Sequence, residues 1–241
     1  MKKLSILLLS FFMFLVIGSP IQAEANVDQD LLNELYEIDP EIQKELEGEE
    51  ILSVTKKEEF ILDSLDDSKI APMGLIPANK MSLYITVSKG QSNNYTVKAT
   101  STWKSSPVFK FKDTMAISWG NNHTLKSSSI RLNLRNGKTS TESQIGSVSP
   151  NVGVSRVFKT RHIDRFFGNQ TVYTSPKSVT LTAVLNTNGK KGSTNIAAGY
   201  AHKILGVPDV GVSFSASGPS ISFSAKGVTF DHMYNYTYFN H

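Results

Sequence analysis

The sequence contains no cysteine, which excludes a disulfide framework and any cysteine-based zinc or thiol chemistry. It has only five histidines, and it lacks the local motifs of serine hydrolases, zinc proteases, P-loop proteins and EF-hands. We therefore expect no metal, no cofactor and no enzymatic activity. A triad built from distant residues would leave no local motif, so a hydrolase is kept as the third functional alternative.

Long apolar runs are absent after the first residues of the chain. Lys2 and Lys3 precede an apolar stretch from Leu4 to Ile17, and small residues follow up to Ala23. This order is typical of a secretory signal peptide, since an apolar run of about 14 residues is short for a span of ~20. The sequence predicts cleavage after Ala23 and a product that is secreted, extracellular or associated with the cell wall.

Acidic residues become scarce in the last two thirds of the chain. Residues 24–69 contain 16 acidic and 4 basic residues, whereas residues 70–241 contain 5 acidic and 19 basic residues. The net charge therefore changes from −12 to +14 near residue 70, which the formal total of +4 hides. We expect the acidic segment to neutralise the basic part within the molecule. The alternative is an extension that serves only solubility or export.

The secondary-structure pattern changes at the same place. Leu31, Leu35 and Ile38 have helical spacing, and Pro40 can begin a second short helix. The residues from Thr55 to Glu58 form a capping-box pattern ahead of Phe60, Ile61 and Leu65, which predicts a further helix. The predicted organisation is a signal peptide at 1–23, an acidic helical prosegment or arm at 24–69, a linker at 70–79 and a basic antiparallel β domain at 80–241.

The basic part alternates apolar and polar residues with the period of β-strands. About ten short strands separated by turn signals every ~8–12 residues favour an antiparallel β-sandwich or barrel-like domain. Asn136-Gly137 is the strongest hairpin signal, and the Gly189–Gly192 sequence predicts an exposed basic turn. Ser193–Leu205 fits a helix and a strand equally well. The predicted fold class is mainly β, preceded by a short acidic helical segment.

A charge-free stretch from Val210 to Ala225 predicts a hairpin with one apolar and one hydroxyl-bearing side. This pattern suits an ordinary hairpin of a sandwich, and it also suits the membrane hairpin of an oligomeric pore. We favour the first interpretation, because a spanning strand needs ~9–11 residues and each arm offers about eight. The candidate membrane-facing residues are Val210, Val212, Phe214, Ile221 and Phe223.

Three further patterns are candidate binding features. Tyr234, Tyr236 and Tyr238 share one strand face with His232 and could form an aromatic platform for sugars or an interfacial aromatic belt, although ordinary packing is the commoner role. The segment from Arg161 to Arg165 would place His162 and Asp164 on one strand face, but a solvated loop is the favoured interpretation. The candidate residues for binding an anionic surface are Lys110, Lys112, Arg131, Arg135, Lys138, Arg161, Arg165, Lys190 and Lys191.

These observations predict a secreted cationic β-protein that adsorbs to anionic cell-envelope surfaces. A membrane-active or antibacterial effector masked by its acidic prosegment is one form of this hypothesis. The alternative is a non-lytic module that binds a sugar, wall or matrix polymer. The expected partners are an anionic wall polymer or lipid surface and, within the chain, segment 24–69. We expect no nucleic-acid partner, since no binding motif is present, and an oligomer only if the protein forms pores.

Overall fold

The computed structural model describes residues 27–58, 80–90, 94–107, 111–120, 123–187, 189–205, 209–215, 218–226 and 229–241. The predicted signal peptide and linker, and Lys110, lie outside the described residues. The chain begins with helices α1 (Gln29–Ile38) and α2 (Pro40–Leu46). The strands that follow are β1 (Glu50–Lys57), β2 (Met81–Lys89), β3 (Asn94–Trp103), β4 (Lys112–Trp119), β5 (Thr124–Leu134), β6 (Thr139–Ser140), β7 (Ser143–Ser149), β8 (Gly153–Lys159), β9 (His162–Phe167), β10 (Gln170–Thr174), β11 (Pro176–Asn186), β12 (Ser193–Leu205), β13 (Gly211–Phe214), β14 (Ile221–Ser224) and β15 (Thr229–Asn240).

The strands form two large antiparallel sheets that pack face to face, so the predicted mainly β sandwich-like fold is confirmed. Sheet A has six strands in the order β1-β2-β3-β11-β5-β6, and sheet B has five in the order β15-β12-β4-β8-β7. The ambiguous segment Ser193–Leu205 is strand β12, and it pairs with both β4 and β15. Two separate hairpins, β9–β10 and β13–β14, lie outside these sheets.

The core lies between the inner faces of the two sheets, where alternate residues of each strand are buried. Sheet A contributes rows such as Leu83, Ala99 and Leu181, and sheet B contributes Ile117, Trp119 and Tyr200. The outer face of sheet A is rich in hydroxyl groups instead. Its paired positions include Ser82, Thr86, Thr100, Thr102, Ser178 and Thr180.

The two helices of the acidic segment are present as predicted. The side chain of Asp28 caps α1 by accepting a hydrogen bond from the Leu31 amide, and Pro40 occupies the first turn of α2. Leu35, Ile42 and Leu46 are buried against Tyr84 on the outer face of sheet A. The acidic segment is therefore held by apolar contacts as well as by its charge.

The capping box predicted at Thr55–Glu58 is wrong, because Thr55 to Lys57 belong to strand β1. Phe60, Ile61 and Leu65, which it was expected to precede, lie outside the described residues. Strand β1 pairs with β2 along its length, and backbone pairing at a sheet edge outweighs a local helix signal. Ser53 and Thr237 hydrogen-bond through their hydroxyls, and the Asn235 amide donates to Thr55 Oγ1 and to the Leu83 carbonyl. The acidic segment thus shares a sheet with the basic part and contacts sheet B. Its role as a separate prosegment stays a prediction.

Candidate anion-binding surfaces

The acidic helices place two carboxylates on two cations of sheet A. Arg131 Nη1 donates to both carboxylate oxygens of Asp39, at 2.8 and 3.1 Å. Arg131 Nε donates to Glu45 at 3.1 Å, and Lys98 Nζ donates to the other oxygen of Glu45 at 2.6 Å. The Thr180 hydroxyl donates to Asp39 at 3.3 Å. We call these five residues the helix-covered cluster.

Burial makes the helix-covered cluster more than a surface ion pair. The Asp39 side chain is fully buried, and the Arg131 side chain is only 15% exposed. Burial acts to lower the pKa of Arg131, but the hydrogen bonds and charges of Asp39 and Glu45 outweigh it and raise this pKa. Arg131 Nη2 is buried and has no partner among the described residues. The guanidinium therefore keeps one donor that the carboxylates of the helices do not use.

A second group of contacts joins the acidic segment to the edge of sheet A. Lys56 Nζ lies 2.6 Å from Glu34 and 2.7 Å from Glu58, and the Tyr84 hydroxyl donates to Glu34 at 3.0 Å. The hydrogen bond from Lys56 lowers the pKa of Glu58 to about 2. Lys104 also lies 3.4 Å from Glu58. The carboxylates of this segment thus face cations at two places on sheet A.

The nine predicted cations do not form one surface. Arg131 belongs to the helix-covered cluster. Lys190 and Lys191 lie exposed in the turn after β11, which the sequence predicted correctly. That turn is separated from the other end of the sandwich by the eleven residues of β11, roughly 35 Å of extended chain. The predicted anion-binding surface is therefore divided between separate regions.

Five of the predicted cations do gather at one end of the sandwich. We call this the β9 end: it contains the start of β4, the end of β5, the end of β8 and the hairpin β9–β10. The five are Lys112, Arg135, Lys138, Arg161 and Arg165, and all but Lys112 are exposed. The five acidic residues of 80–241 lie at the same end. Three of them are within 4 Å of cations, since Glu142 meets Lys159, Asp164 meets Lys138, and Asp209 meets Lys112.

The hairpin β9–β10 carries the most exposed apolar side chains among the described residues. Phe166 is 71% exposed and Phe167 is 74% exposed, and Ile163 is also exposed. Arg161 stacks on the Tyr173 ring, with its Cζ 3.5 Å from the ring centroid. Sequence reasoning concentrated on residues 161–165 and missed the two phenylalanines. The available signal was an aromatic pair directly before the turn residues Gly168 and Asn169.

The base of this hairpin is held by the turn between β5 and β6. Asn136 Nδ2 donates to Asp164 Oδ1 at 2.6 Å, and Lys138 Nζ donates to the Asp164 carbonyl at 2.9 Å. The hydrogen bond from Asn136, with the charge of Lys138, holds the pKa of Asp164 below its ordinary value. His162 is buried, and its Nε2 lies 2.8 Å from the Lys159 carbonyl. Residues 162–165 of this segment thus belong to strand β9 rather than to the favoured solvated loop, because backbone pairing with β10 and these anchors order them.

The Val210–Ala225 stretch forms a hairpin, but one that belongs to neither large sheet. Val212 pairs with Phe223 and Phe214 pairs with Ile221, while Ser213, Ser222 and Ser224 are exposed. Ile221 is buried against Ala116 and Ala197 on the outer face of sheet B, and Val212, Phe214 and Phe223 pack there too. Val210 is also buried. The candidate membrane-facing residues therefore cover the protein's own sheet, through strands of four residues each.

The three platform tyrosines share the outer face of sheet B but differ in exposure. Tyr234 stacks on Phe223, with ring centroids 5.5 Å apart and planes 20° apart. Tyr236 and Tyr238 are 59% and 62% exposed. Ordinary packing explains Tyr234, and two aromatic faces remain open to a ligand.

A buried polar network that sequence reasoning missed surrounds Asp113. Its carboxylate accepts hydrogen bonds from the Tyr200 hydroxyl at 2.6 Å, from His202 Nδ1 at 2.9 Å and from the Lys203 amide at 3.1 Å. Trp103 Nε1 donates to the Tyr200 hydroxyl. Burial acts to lower the pKa of His202, but Asp113 outweighs it and raises this pKa. Because Asp113 is fully buried, the network closes the core at the β9 end.

The rest of the described surface offers little for chemistry. A cleft of about 280 Å³ beside β7 and β8 is lined by Lys112, Gln144 and Lys159 with their neighbours. In the described ranges, no group of three or more His, Asp or Glu residues is arranged to hold a metal ion. No helix among those residues is long and apolar enough to cross a membrane.

Comparisons with known proteins give no family for this chain. No protein-family model matches it, and no curated protein matches it. A solved structure entitled "AvmM Catalyzes Macrocyclization in Alchivemycin A Biosynthesis" aligns over 61% of this chain and 79% of its own, with 11% identity and a TM-score of 0.29. Another, entitled "BspA_C_WT", aligns over 64% and 58%, with 8% identity and a TM-score of 0.28. Similarity this weak carries no argument about function.

Proposed function

We propose that this protein is a secreted, cationic β-protein that adsorbs to anionic cell-envelope surfaces and is masked by its own acidic segment. One observation carries the proposal: the carboxylates of Asp39 and Glu45 occupy Arg131 and Lys98 on sheet A. The carboxylates act as an intramolecular anionic ligand, and an envelope polymer or lipid headgroup supplies the same chemistry. Secretion rests on the signal-peptide pattern of the first 23 residues.

The outer face of sheet A suits such a ligand for two reasons. It presents cations among hydroxyl groups, such as those of Thr100 and Thr180, which can donate to phosphate or carboxylate oxygens. The buried, unpartnered Nη2 of Arg131 can bind a further oxygen, since a guanidinium favours multiple contacts to one anion. A ligand with several anionic groups therefore uses more of this face than the helices do.

Two double variants with equal charge test the masking. D39N/E45Q removes the carboxylate partners of Arg131 and Lys98, whereas E37Q/E47Q removes two exposed carboxylates that form no hydrogen bond or ion pair with sheet A among the described residues. We expect D39N/E45Q to bind phosphatidylglycerol vesicles and poly(glycerol phosphate) roughly thirtyfold more tightly than the control, since each of the two cations contributes about 1 kcal/mol. Equal binding by the two variants would show that only net charge matters. Failure of both to bind either probe overturns the proposal.

Mass spectrometry of the exported product identifies its first residue and so shows whether the acidic segment is cleaved off. A product that begins near residue 24 retains the mask, and one that begins near residue 70 has lost β1 together with the helices. Loss of β1 exposes the edge of β2, so the processed form is expected to bind through this edge as well as through its charge.

The second candidate function is a non-lytic module that binds a wall or matrix sugar. The open faces of Tyr236 and Tyr238 favour it, because exposed aromatic faces stack on sugar rings. Y236A/Y238A should then lose binding to purified cell walls while vesicle binding stays unchanged. The hydrolase alternative gains no support from His162, whose ring is occupied by the Lys159 carbonyl.

A further inference from the structure

The hairpin β9–β10 exposes large apolar side chains that do not pack inside the molecule. Its strands pair with each other and with no other strand among the described residues. Towards its tip the chain turns at Gly168, which has a positive φ of 56°. Phe166 and Phe167 lie directly before this turn and are exposed over most of their surface. Aromatic side chains that stay this exposed bury little apolar surface on folding, so they contribute little to the stability of the fold.

Cations surround the base of the same hairpin. Arg161 and Arg165 are exposed and have no ion-pair partner among the described residues. Lys138 and Lys177 lie on adjoining elements and are exposed. The nearest acidic residue, Asp164, is occupied by Asn136 and Lys138. An apolar tip therefore lies beside several exposed cations.

We propose that the hairpin β9–β10 anchors the protein in an anionic lipid surface, with Phe166 and Phe167 entering the bilayer interface. Arg161, Arg165 and Lys138 then contact the headgroups. Apolar side chains enter the headgroup and acyl boundary by about 5–10 Å, which a short hairpin tip can reach, and each nearby cation adds attraction to anionic lipid. Charge complementarity selects a lipid surface over a neutral partner. This inference rests on the proposed adsorption to envelope surfaces and specifies lipid as the surface.

The acidic segment does not cover this hairpin. The helices lie on the outer face of sheet A, whereas Phe166 and Phe167 are exposed in the same structure. Anchoring through the hairpin therefore does not require release of the helices. The masked and unmasked chains can both be used for its test.

The test compares F166S/F167S with I145S/V148S, a matched control that removes two exposed apolar side chains from strand β7 of sheet B. Vesicles with phosphatidylglycerol, vesicles of phosphatidylcholine alone and soluble poly(glycerol phosphate) are the probes. We expect F166S/F167S to reduce partitioning into the anionic vesicles by about tenfold or more, and to leave binding of the soluble polymer unchanged. The control should bind the anionic vesicles like the unaltered chain.

A tryptophan at the tip reports insertion directly. Trp103 and Trp119 are buried in the core, so a tryptophan introduced by Phe167→Trp gives the solvent-exposed emission. Its emission should shift to the blue on anionic vesicles and be quenched by brominated acyl chains. Vesicle binding without quenching would overturn the assignment, as would equal partitioning by F166S/F167S and the unaltered chain. A change in oligomeric state in place of a change in partitioning would make the tip a contact between copies.

The outcomes separate this inference from the proposed function. If the chain and its D39N/E45Q variant bind poly(glycerol phosphate) but not anionic vesicles, the hairpin assignment fails and polyanion binding stands. If neither probe is bound, both fail.

Discussion

Among the described residues, two hairpins lie outside the large sheets. One buries its apolar side chains, and the other exposes them. In β13–β14, Ile221 and Phe223 face sheet B, and the serines face solvent. In β9–β10, Phe166 and Phe167 face solvent, and the hairpin is held at its base by polar contacts through Asp164. The difference shows that an amphipathic hairpin buries its apolar side only where another part of the protein offers a surface to pack against. Sheet B provides one through small outward residues such as Ala116 and Ala197.

The largest expected difference between the two hairpins is in the free energy of unfolding when one apolar side chain of each is truncated. Ile221→Ala should lower the free energy of unfolding by about 2–4 kcal/mol, because it removes buried methyl groups and leaves a cavity. Phe166→Ala should change it by less than about 0.5 kcal/mol, since the ring is exposed. Urea titrations with equal m-values measure both. Equal losses would mean that the β9–β10 tip is packed in solution and would remove the contrast.

Adding a side chain to a glycine near each hairpin gives the next largest difference in stability. A Cβ at Gly153 would lie 2.5 Å from the Phe214 ring, so Gly153→Ala must displace that ring at a cost of about 1–2 kcal/mol. At Gly168 a Cβ meets nothing within 4 Å, and only the positive φ of 56° opposes it. Gly168→Asn should therefore be nearly neutral, since Asn tolerates this conformation. Thermal unfolding reports both changes, and a neutral Gly153→Ala would show that Phe214 does not cover β8.

Much of this architecture follows from the sequence, because local patterns encode it. The period-2 alternation predicted the strands, and Leu35 with Pro40 predicted the two helices. The alternation of Val212, Phe214 and Ile221 predicted the two-sided hairpin, although not the surface that receives it. That surface depends on which strands lie side by side, which a single sequence does not state.

The candidate sites were less predictable, for the same physical reason. Arg131 was a candidate cation, but Lys98 was not, and their pairing with Asp39 and Glu45 depends on contacts between distant residues. Strand β1 was missed because its charged residues give a helical capping pattern, and only pairing with β2 reveals an edge strand. The β9–β10 tip was missed because two adjacent phenylalanines break the alternation that marks a buried strand.

The smallest expected effect concerns pH and compares two titratable groups, His232 on β15 beside the hairpin β13–β14 and Asp164 in β9. His232 lies beside Phe223 and Tyr234, and burial lowers the pKa of its ring. The unfolded chain therefore binds more protons than the folded chain as pH falls below about 6.5, so this contribution to stability is lost on acidification. The pKa of Asp164 is also lowered, but its contribution is lost only at pH values below about 4. Titration of Asp164 should therefore leave stability unchanged between pH 7 and pH 5, whereas titration of His232 should weaken the contact of β13–β14 with β15.

His232→Phe isolates this effect from the other buried histidines. Burial, with a smaller effect of His241, lowers the pKa of His123 to about 4, while Asp113 raises that of His202, and both contributions persist in the variant. Urea titrations at pH 7 and pH 5 should show a larger loss of stability for the unaltered chain than for His232→Phe. Asp164→Asn should show the same loss as the unaltered chain over this range. A pH dependence that His232→Phe leaves unchanged would assign the titration elsewhere, and one that Asp164→Asn abolishes would make the β9–β10 hairpin the acid-sensitive element of the pair.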